Sequence, residues 1–124
     1  MPMLTLPYPT SANRAWRNWN GMTVKSKEAR VYQRETAVLA LQAGLGAPTY
    51  GSLWVSIALH PKKPLRASNA PSRSIDLDNA CKIALDALNG VAWQDDRQIE
   101  RLTVERLEPI TNGALVVRWG AMDD

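Results

Sequence analysis

Apolar and polar residues alternate along one stretch of the chain and recur at helical spacing along two others. The alternating stretch, residues 53–59, has the period of two expected of a strand with one buried face. We interpret it as the central strand of a sheet, with His60 at its end. A lone histidine at a strand end is more often a surface residue than a catalytic group, so we give His60 no role in chemistry.

The two stretches with helical spacing predict two helices. The first begins at a candidate N-cap, Ser26, has Glu28 in its first turn and stops at Gly44. Its predicted buried stripe consists of Val31, Val38, Leu41 and Leu45, widened by Tyr32, Leu39 and Ala40. The second helix ends at Asn89-Gly90. Its apolar face consists of Ala80, Ile83, Ala84, Ala87 and Leu88.

Shorter apolar runs predict the other strands. Residues 4–6, followed by prolines, suit an edge strand, and 22–24 suit a second short strand paired with it. Residues 99–107 form a further strand, and Asn112-Gly113 is a hairpin signal that returns 115–119 as its partner. The pattern predicts an α/β fold of mixed α+β type. A small mixed sheet of about four to five strands and two main helices would form one domain over residues 1–124.

Composition and charge narrow the class of protein. With 45% hydrophobic and 22% charged residues, the chain of 124 residues has the composition of a folded protein. A net charge of +3 permits a polyanionic partner without requiring one. Cys81 is the only cysteine and there is no cluster with zinc spacing, which favours a reducing, cytoplasmic setting. No apolar run approaches membrane-spanning length, so we expect no membrane association.

Two basic segments are candidate DNA contacts. Arg14 and Arg17 alternate with two tryptophans, an arrangement that suits phosphate contact and base stacking. The alternative is that the tryptophans pack in the core and the arginines are solvated. Residues 61–74 form a predicted exposed loop just before an acidic pair, so its cationic side chains could contact a phosphate backbone. The alternative is a solvated loop with no binding role. The cations of this loop are Lys62, Lys63, Arg66 and Arg73.

The candidate chemistry begins at Asp76 and Asp78. If residues 74–78 are extended, these two carboxylates project from the same face. Adjacent carboxylates repel each other unless a cation bridges them, and a hard ion such as Mg²⁺ prefers oxygen ligands. Asp78 or Asn79 could also cap the helix that follows.

Lys82 and a second acidic pair complete the candidate site. Lys82 lies four residues after Asp78 and off the buried stripe, so it could offset charge on a phosphate, or form a weak surface ion pair with Asp78 or Asp86. Asp86 is expected to be structural. Asp95 and Asp96 follow the helix, and one of them could complete a three-carboxylate cluster while the other points elsewhere.

These residues carry a resemblance to a known family. The pattern D-L-D-N-x-x-K-x-x-x-D-A-L-N-G from Asp76 to Gly90, then D-D-x-Q-I at 95–99, resembles the RusA family of Holliday junction resolvases, which are crossover junction endodeoxyribonucleases. The opening LPYPTSANR is similar to that family's L-P-x-P-x-S-x-N-R signature. One departure is Ile75, where some relatives have arginine; Arg73 would then supply the phosphate contact.

The resemblance implies a function and a set of roles. Members of this family are homodimers with a mixed α/β fold, and they nick four-way DNA junctions symmetrically in recombination and repair. Their cofactor is Mg²⁺, for which Mn²⁺ can substitute, and phages or prophages often encode them. Asp76, Asp78 and Asp96 would bind the ion, with Lys82 as the essential lysine. Asn79 would support the ligands, and Asp95 would be accessory. The alternatives are a DNA-binding protein with lapsed nuclease activity, or a nuclease acting on RNA or other branched DNA.

Overall fold

The computed structural model describes residues 2–9, 16–19, 22–25, 27–63 and 75–122, the stretches 16–19 and 22–25 by their backbone alone. These residues form a single small α+β domain, which confirms the predicted fold class. No helix in this part of the chain is long and apolar enough to cross a membrane. The elements are β1 (Met3–Leu6), β2 (Trp16–Trp19), β3 (Met22–Lys25), α1 (Lys27–Gln42), β4 (Leu53–His60), α2 (Leu77–Leu88), β5 (Ile99–Arg106) and β6 (Ala114–Ala121).

Four of the strands form one mixed sheet in the order β1-β6-β4-β5. β4 pairs with β5 in parallel and with β6 in antiparallel orientation, so it is the central strand that the alternation predicted. β1 lies at the edge and pairs with β6 alone, as its following prolines predicted. The parallel pair β4 and β5 requires a long crossover connection, which α2 supplies.

The predicted hairpin between residues 99–107 and 115–119 is wrong. β4 lies between β5 and β6 in the sheet, and the segment from Leu107 to Gly113 passes over the end of β4 to connect them. Backbone hydrogen bonds hold this segment against the residues after β4: Ile110 donates to Pro61, and Lys63 donates to Ile110. The chain does turn at Asn112-Gly113, but a local turn signal does not predict whether the strands before and after it are neighbours in the sheet.

The predicted pairing of residues 22–24 with the first strand is also wrong. β3 does form at Met22–Lys25, but it pairs with β2 in a separate two-stranded antiparallel sheet. β2 covers Trp16–Trp19, a segment for which no strand was predicted. β2 and β3 are adjacent in the sequence, on either side of Asn20-Gly21, and their backbone N–H and C=O groups pair with each other. The backbone groups of β1 pair with those of β6 instead.

The core lies between one face of the sheet and α2. Alternate residues of β4 (Leu53, Val55, Ile57 and Leu59) are buried, and α2 packs its apolar stripe against the sheet. Every stripe residue predicted for this helix is buried: Ala80, Ile83, Ala84, Ala87 and Leu88. The helix ends at Leu88, and Gly90 follows with a φ of 82°, in the left-handed region that a helix stop uses.

The predicted stripe of α1 is wrong in its main members. Val31, Val38 and Leu41 are 41%, 50% and 75% exposed, whereas Leu39 and Leu45 pack partly buried against the core. The helix turns a narrower face inward, consisting of Ala29, Tyr32, Thr36 and Ala40. Small residues let the helix approach closely, and the Tyr32 hydroxyl donates to the Pro7 carbonyl at 2.7 Å, which fixes the helix to the chain after β1.

The end of α1 is as predicted. Gly44 has a φ of 80°, the Gly44 amide donates to Leu41, and the Leu45 amide donates to Ala40. This pair of bonds is the Schellman pattern that satisfies the last helical carbonyls. The predicted N-cap, Ser26, lies outside the described residues.

We expect Gly113→Ala to destabilise the fold by about 1–3 kcal/mol. Gly113 has a φ of 67°, and an added Cβ would lie 2.8 Å from Cδ2 of Tyr8 and 3.0 Å from the His60 carbonyl oxygen. The check is the free energy of unfolding in urea. Gly46→Ala is the matched control because Gly46 has nothing within 4 Å. Equal stability of the two variants would contradict the prediction.

Candidate metal centre

The first candidate acids lie at the start of α2. Asp76 is the N-cap, with extended backbone angles (φ −68°, ψ 150°), and Asp78 lies in the first helical turn. The extended segment therefore ends at Asp76 rather than at residue 78, so the prediction of a shared strand face is wrong. The prediction that Asp78 or Asn79 caps the helix is also wrong. The alternation of acid and apolar residues fits the start of a helix as well as a strand end.

The Asp76 carboxylate is exposed and does not cap its own helix. Its side chain accepts no hydrogen bond from the first-turn amides, although Asp76 occupies the N-cap position. The first turn nevertheless presents unpaired amides and the positive end of the helix dipole, which favour negative charge nearby. The Asp76 carboxylate is thus exposed at the start of the helix and is not used for capping.

Two residues far away in sequence bind the peptide groups of Ile75, immediately before Asp76. The Ile75 amide donates to the Tyr8 hydroxyl at 3.1 Å. The Ile75 carbonyl accepts from Nη2 of Arg106, the last residue of β5, at 2.8 Å. The backbone leading into the first acid is therefore fixed from the N-terminal segment and from the sheet.

The other polar residues of α2 separate into exposed and structural groups. Lys82 is exposed and off the buried stripe, as predicted, and Asn79 is half-buried. Asp86, half-buried, accepts a hydrogen bond from the side-chain amide of Gln33 in α1. This contact joins the two helices and agrees with the structural role expected of Asp86.

The second acidic pair lies in a tight turn before β5, where Asp95 has a local task. Asp95 is the N-cap of a short 3-10 turn, Asp96–Gln98, and its Oδ1 accepts from the Arg97 amide at 2.9 Å. The Gln98 side chain completes the capping box by accepting from the Asp95 amide at 2.9 Å. Its Nε2 donates to the carbonyls of Thr49 and Gly51, which attaches the turn to the loop before β4.

Asp96 is bound to the core through Trp93. The indole Nε1 of Trp93 donates to Oδ1 of Asp96 at 3.2 Å, and the Trp93 side chain is fully buried. Trp93 also packs edge-to-face on Trp119 of β6, with ring centroids 5.9 Å apart. The ring is thus fixed by the core, and its single polar group fixes an exposed carboxylate.

The Cys81 thiol connects the two acidic segments electrostatically. Burial raises the pKa of this thiol, and the carboxylates of Asp96 and Asp78 raise it further. Asp78 and Asp96, 18 positions apart in the sequence, therefore both act on this thiol. Within the described ranges, no group of three or more acidic, histidine or cysteine side chains is close enough to hold a metal ion. The three-carboxylate cluster stays a prediction.

The chemistry of these donors fits Mg²⁺. All three predicted ligands are exposed carboxylates, the oxygen donors that a hard divalent ion prefers. Magnesium retains several waters and is commonly bound through one or two carboxylates together with substrate phosphates. The donor set is therefore of the type that such an ion accepts.

The structure describes few of the predicted DNA contacts. Lys62 and Lys63 are exposed, and Nζ of Lys62 lies 5.6 Å from the centroid of the Tyr8 ring. The side chains of the other candidates lie outside the described residues: Arg14, Arg17, Arg66 and Arg73. His60 makes a structural contact, since its Nδ1 lies 2.9 Å from the Glu108 carbonyl oxygen.

Comparison with known proteins decides the family. A model of the family described as "Endodeoxyribonuclease RusA" matches residues 7–118. The chain belongs to the RusA family. Several relatives carry the name crossover junction endodeoxyribonuclease RusA. The protein of Escherichia coli K12 is 32% identical over 111 residues, and that of Enterobacteria phage 82 is 34% identical over 115 residues; each alignment covers 89% of this chain and 85% of the relative.

The RusA match spans the whole candidate site. It includes both acid pairs, Lys82 and the tyrosine and arginine that bind Ile75. Family membership therefore rests on nearly the full domain rather than on the short acidic motif alone.

Four supporting residues escaped the sequence analysis: Tyr8, Trp93, Gln98 and Arg106. Gln98 had a readable signal, because an acid followed three residues later by glutamine is a capping-box pattern. Trp93 lies three residues before Asp96, but that spacing alone does not predict a hydrogen bond. Tyr8 and Arg106 meet Ile75 across 67 and 31 residues, and no local pattern reports such contacts.

We expect Asp96→Asn and Asp78→Asn each to speed alkylation of Cys81. A raised pKa means less thiolate at a pH near the ordinary thiol value of about 8.5. Removing a nearby negative charge lowers the pKa and increases the thiolate fraction. The measurement is the rate of iodoacetamide labelling against pH, with Glu100→Gln as the control for a lost surface charge. An unchanged rate in both aspartate variants would contradict the proximity of these acids to the thiol.

Proposed function

We propose that this protein is a crossover junction endodeoxyribonuclease that resolves four-way DNA junctions by hydrolysing one phosphodiester bond in each of two strands. The observation that carries the proposal is the RusA match over residues 7–118, which includes all the candidate acids. Two exposed carboxylates at the start of α2, and the electrostatic effect of Asp78 and Asp96 on the Cys81 thiol, support it.

Each polar residue has a task in this proposal. Asp76, Asp78 and Asp96 bind Mg²⁺, for which Mn²⁺ can substitute. The chemistry supplied by the bound ion is Lewis-acid activation of water and neutralisation of phosphate charge. Lys82, exposed one helical turn after Asp78, offsets the negative charge that develops on the scissile phosphate. Asn79 supports the ligands of the ion, and Asp95 stabilises the turn in which Asp96 lies.

We propose that the enzyme is a homodimer. A four-way junction must be cut in two strands related by a two-fold axis, and each chain supplies one acidic site, so an isologous pair matches the substrate. The exposed apolar residues of α1, namely Val31, Val38 and Leu41, are a suitable contact surface for a second copy. The setting we propose is recombination and repair of DNA, in a phage or prophage.

The decisive experiment compares cleavage of three substrates by the purified protein. A synthetic four-way junction, a linear duplex of the same sequence and a single-stranded RNA are incubated with and without Mg²⁺. We expect paired symmetric nicks in the junction alone, with 5′ phosphate and 3′ hydroxyl ends, and only in the presence of the ion. Cutting of all substrates or of RNA alone would contradict the proposal, and junction binding without cleavage would indicate a lapsed nuclease.

We expect Asp76→Asn to reduce the rate of junction cleavage by a factor of about 100 or more. Mutating a residue that only orients a metal ligand costs about 10- to 100-fold, and loss of a ligand itself should cost more. Junction binding should persist, since asparagine is a good N-cap and the change removes a negative charge near DNA. Single-turnover cleavage and gel-shift titration measure the two effects. Asp86→Asn is the matched control on the same helix and should keep full activity. Loss of binding together with cleavage would make Asp76 a structural residue.

Replacing Lys62 and Lys63 with alanine should weaken junction binding and flatten its salt dependence. Each phosphate contact that is lost reduces the slope of log K against log salt by about 0.9. The measurement is the junction dissociation constant across a series of salt concentrations. The control is Lys27→Ala with Arg30→Ala, the same charge change at exposed positions of α1. An unchanged slope would show that the two lysines do not contact DNA.

A further inference from the structure

The peptide groups of Ile75 are bound on both sides by residues from other parts of the fold. The amide donates to the Tyr8 hydroxyl at 3.1 Å, and the carbonyl accepts from Arg106 at 2.8 Å. Neither contact belongs to a helix or a sheet, so the two bonds hold the residue before the N-cap of α2 independently of regular secondary structure. Residue 75 is thereby connected to the segment after β1 and to the end of β5.

These bonds act on the backbone that carries Asp76. The Asp76 carboxylate makes no capping bond, and its backbone is extended. The backbone on either side orients this side chain: Ile75 lies before it and the first turn of α2 after it. The helix side is rigid through the packed stripe, so the Ile75 side determines how precisely the carboxylate is placed.

Tyr8 is itself firmly placed. Its ring lies against the backbone of Gly113, where an added Cβ would come within 2.8 Å of Cδ2. The preceding carbonyl, of Pro7, accepts from Tyr32 in α1 at 2.7 Å. A hydroxyl carried on such a ring can fix a peptide group, and since it accepts from Ile75 its own proton remains for a further bond.

We propose that Tyr8 and Arg106 are positioning residues of the metal centre, which hold Asp76 in its ion-binding position through the peptide groups of Ile75. The proposal deepens the proposed function and rests on it, because Asp76 is there a ligand of the ion. Arg106 acts on the peptide carbonyl of Ile75 through Nη2, and Tyr8 acts on its amide through the hydroxyl.

The test uses variants that remove one contact at a time. Tyr8→Phe deletes the hydroxyl and keeps the ring; Tyr50→Phe, at a tyrosine 75% exposed, is its control. Arg106→Met deletes the donor; Arg106→Lys restores one. Arg101→Met is the control for lost charge on the same strand, because Arg101 is exposed and its register with Trp54 puts it on the opposite face of the sheet.

Two measurements on the full chain without DNA are needed. The first is the affinity for Mn²⁺, followed by electron paramagnetic resonance of the free ion. We expect Tyr8→Phe and Arg106→Met each to weaken it roughly tenfold or more, in the range of partners that orient metal ligands, with Arg106→Lys recovering most of the loss. The second is hydrogen exchange of the Ile75 amide by NMR, which should become faster in Tyr8→Phe but not in Tyr50→Phe.

The outcomes separate this inference from the proposed function. Unchanged Mn²⁺ affinity in Tyr8→Phe and Arg106→Met, with folded protein, would overturn the positioning role even if the wild type cuts junctions. Equal losses in the Tyr50 and Arg101 controls would overturn it as well. If the wild type binds Mn²⁺ but cuts no junction, the proposed function fails while the positioning role is still decided by these variants. If the wild type binds no Mn²⁺, both fail.

Discussion

The packing of α2 against the sheet is the contact on which the candidate site depends. Its stripe contains three alanines, Ile83 and Leu88, all buried, so the helix lies close to the buried face of β4 and its neighbours. Burying each large aliphatic side chain contributes roughly 1.5–3 kcal/mol, and the alanines let the backbone approach. Once this face is fixed, the opposite face must carry Asp78 and Lys82 into solvent, and Asp76 must lie at the helix start.

The second half of the site depends on the same core by a different route. After α2 the chain reverses at Gly90, and Trp93 enters the core against Trp119. A buried indole requires an acceptor for its N–H, and Asp96 supplies it. One hydrogen bond thus satisfies the buried indole N–H of Trp93 and orients the carboxylate of Asp96. Asp96 in the turn and Asp78 in the helix are therefore both positioned by the same packed core.

The sequence predicted this helix correctly and α1 only in part, for a physical reason. In α2 the large apolar residues and the alanines share one face, so periodicity identifies the buried side without ambiguity. In α1 the larger aliphatics face outward, and the inward face consists of Ala29, Tyr32, Thr36 and Ala40. Small residues and a threonine carry little weight in a hydrophobic pattern, although they permit the closest packing. The turn at Asn112-Gly113 led to a wrong prediction of strand pairing for a similar reason. A turn signal is local, whereas the position of β4 between β5 and β6 depends on the whole sheet.

The candidate site likewise contains residues that the local sequence predicts and contacts that only the folded chain brings together. The acids, Lys82 and the helix that carries them lie within a short stretch, so residue types and spacing were enough to select them. The groups that contact Asp96 and the residue before Asp76 are remote in the sequence. Tyr8 and Trp93 belong to the segment after β1 and to the turn before β5, and Arg106 ends a strand of the sheet. Such contacts arise only when the β4, α2 and β5 unit closes against β6 and the chain after β1. A sequence can therefore select candidate ligands for such a centre, whereas the geometry of their side chains is a property of the folded sheet.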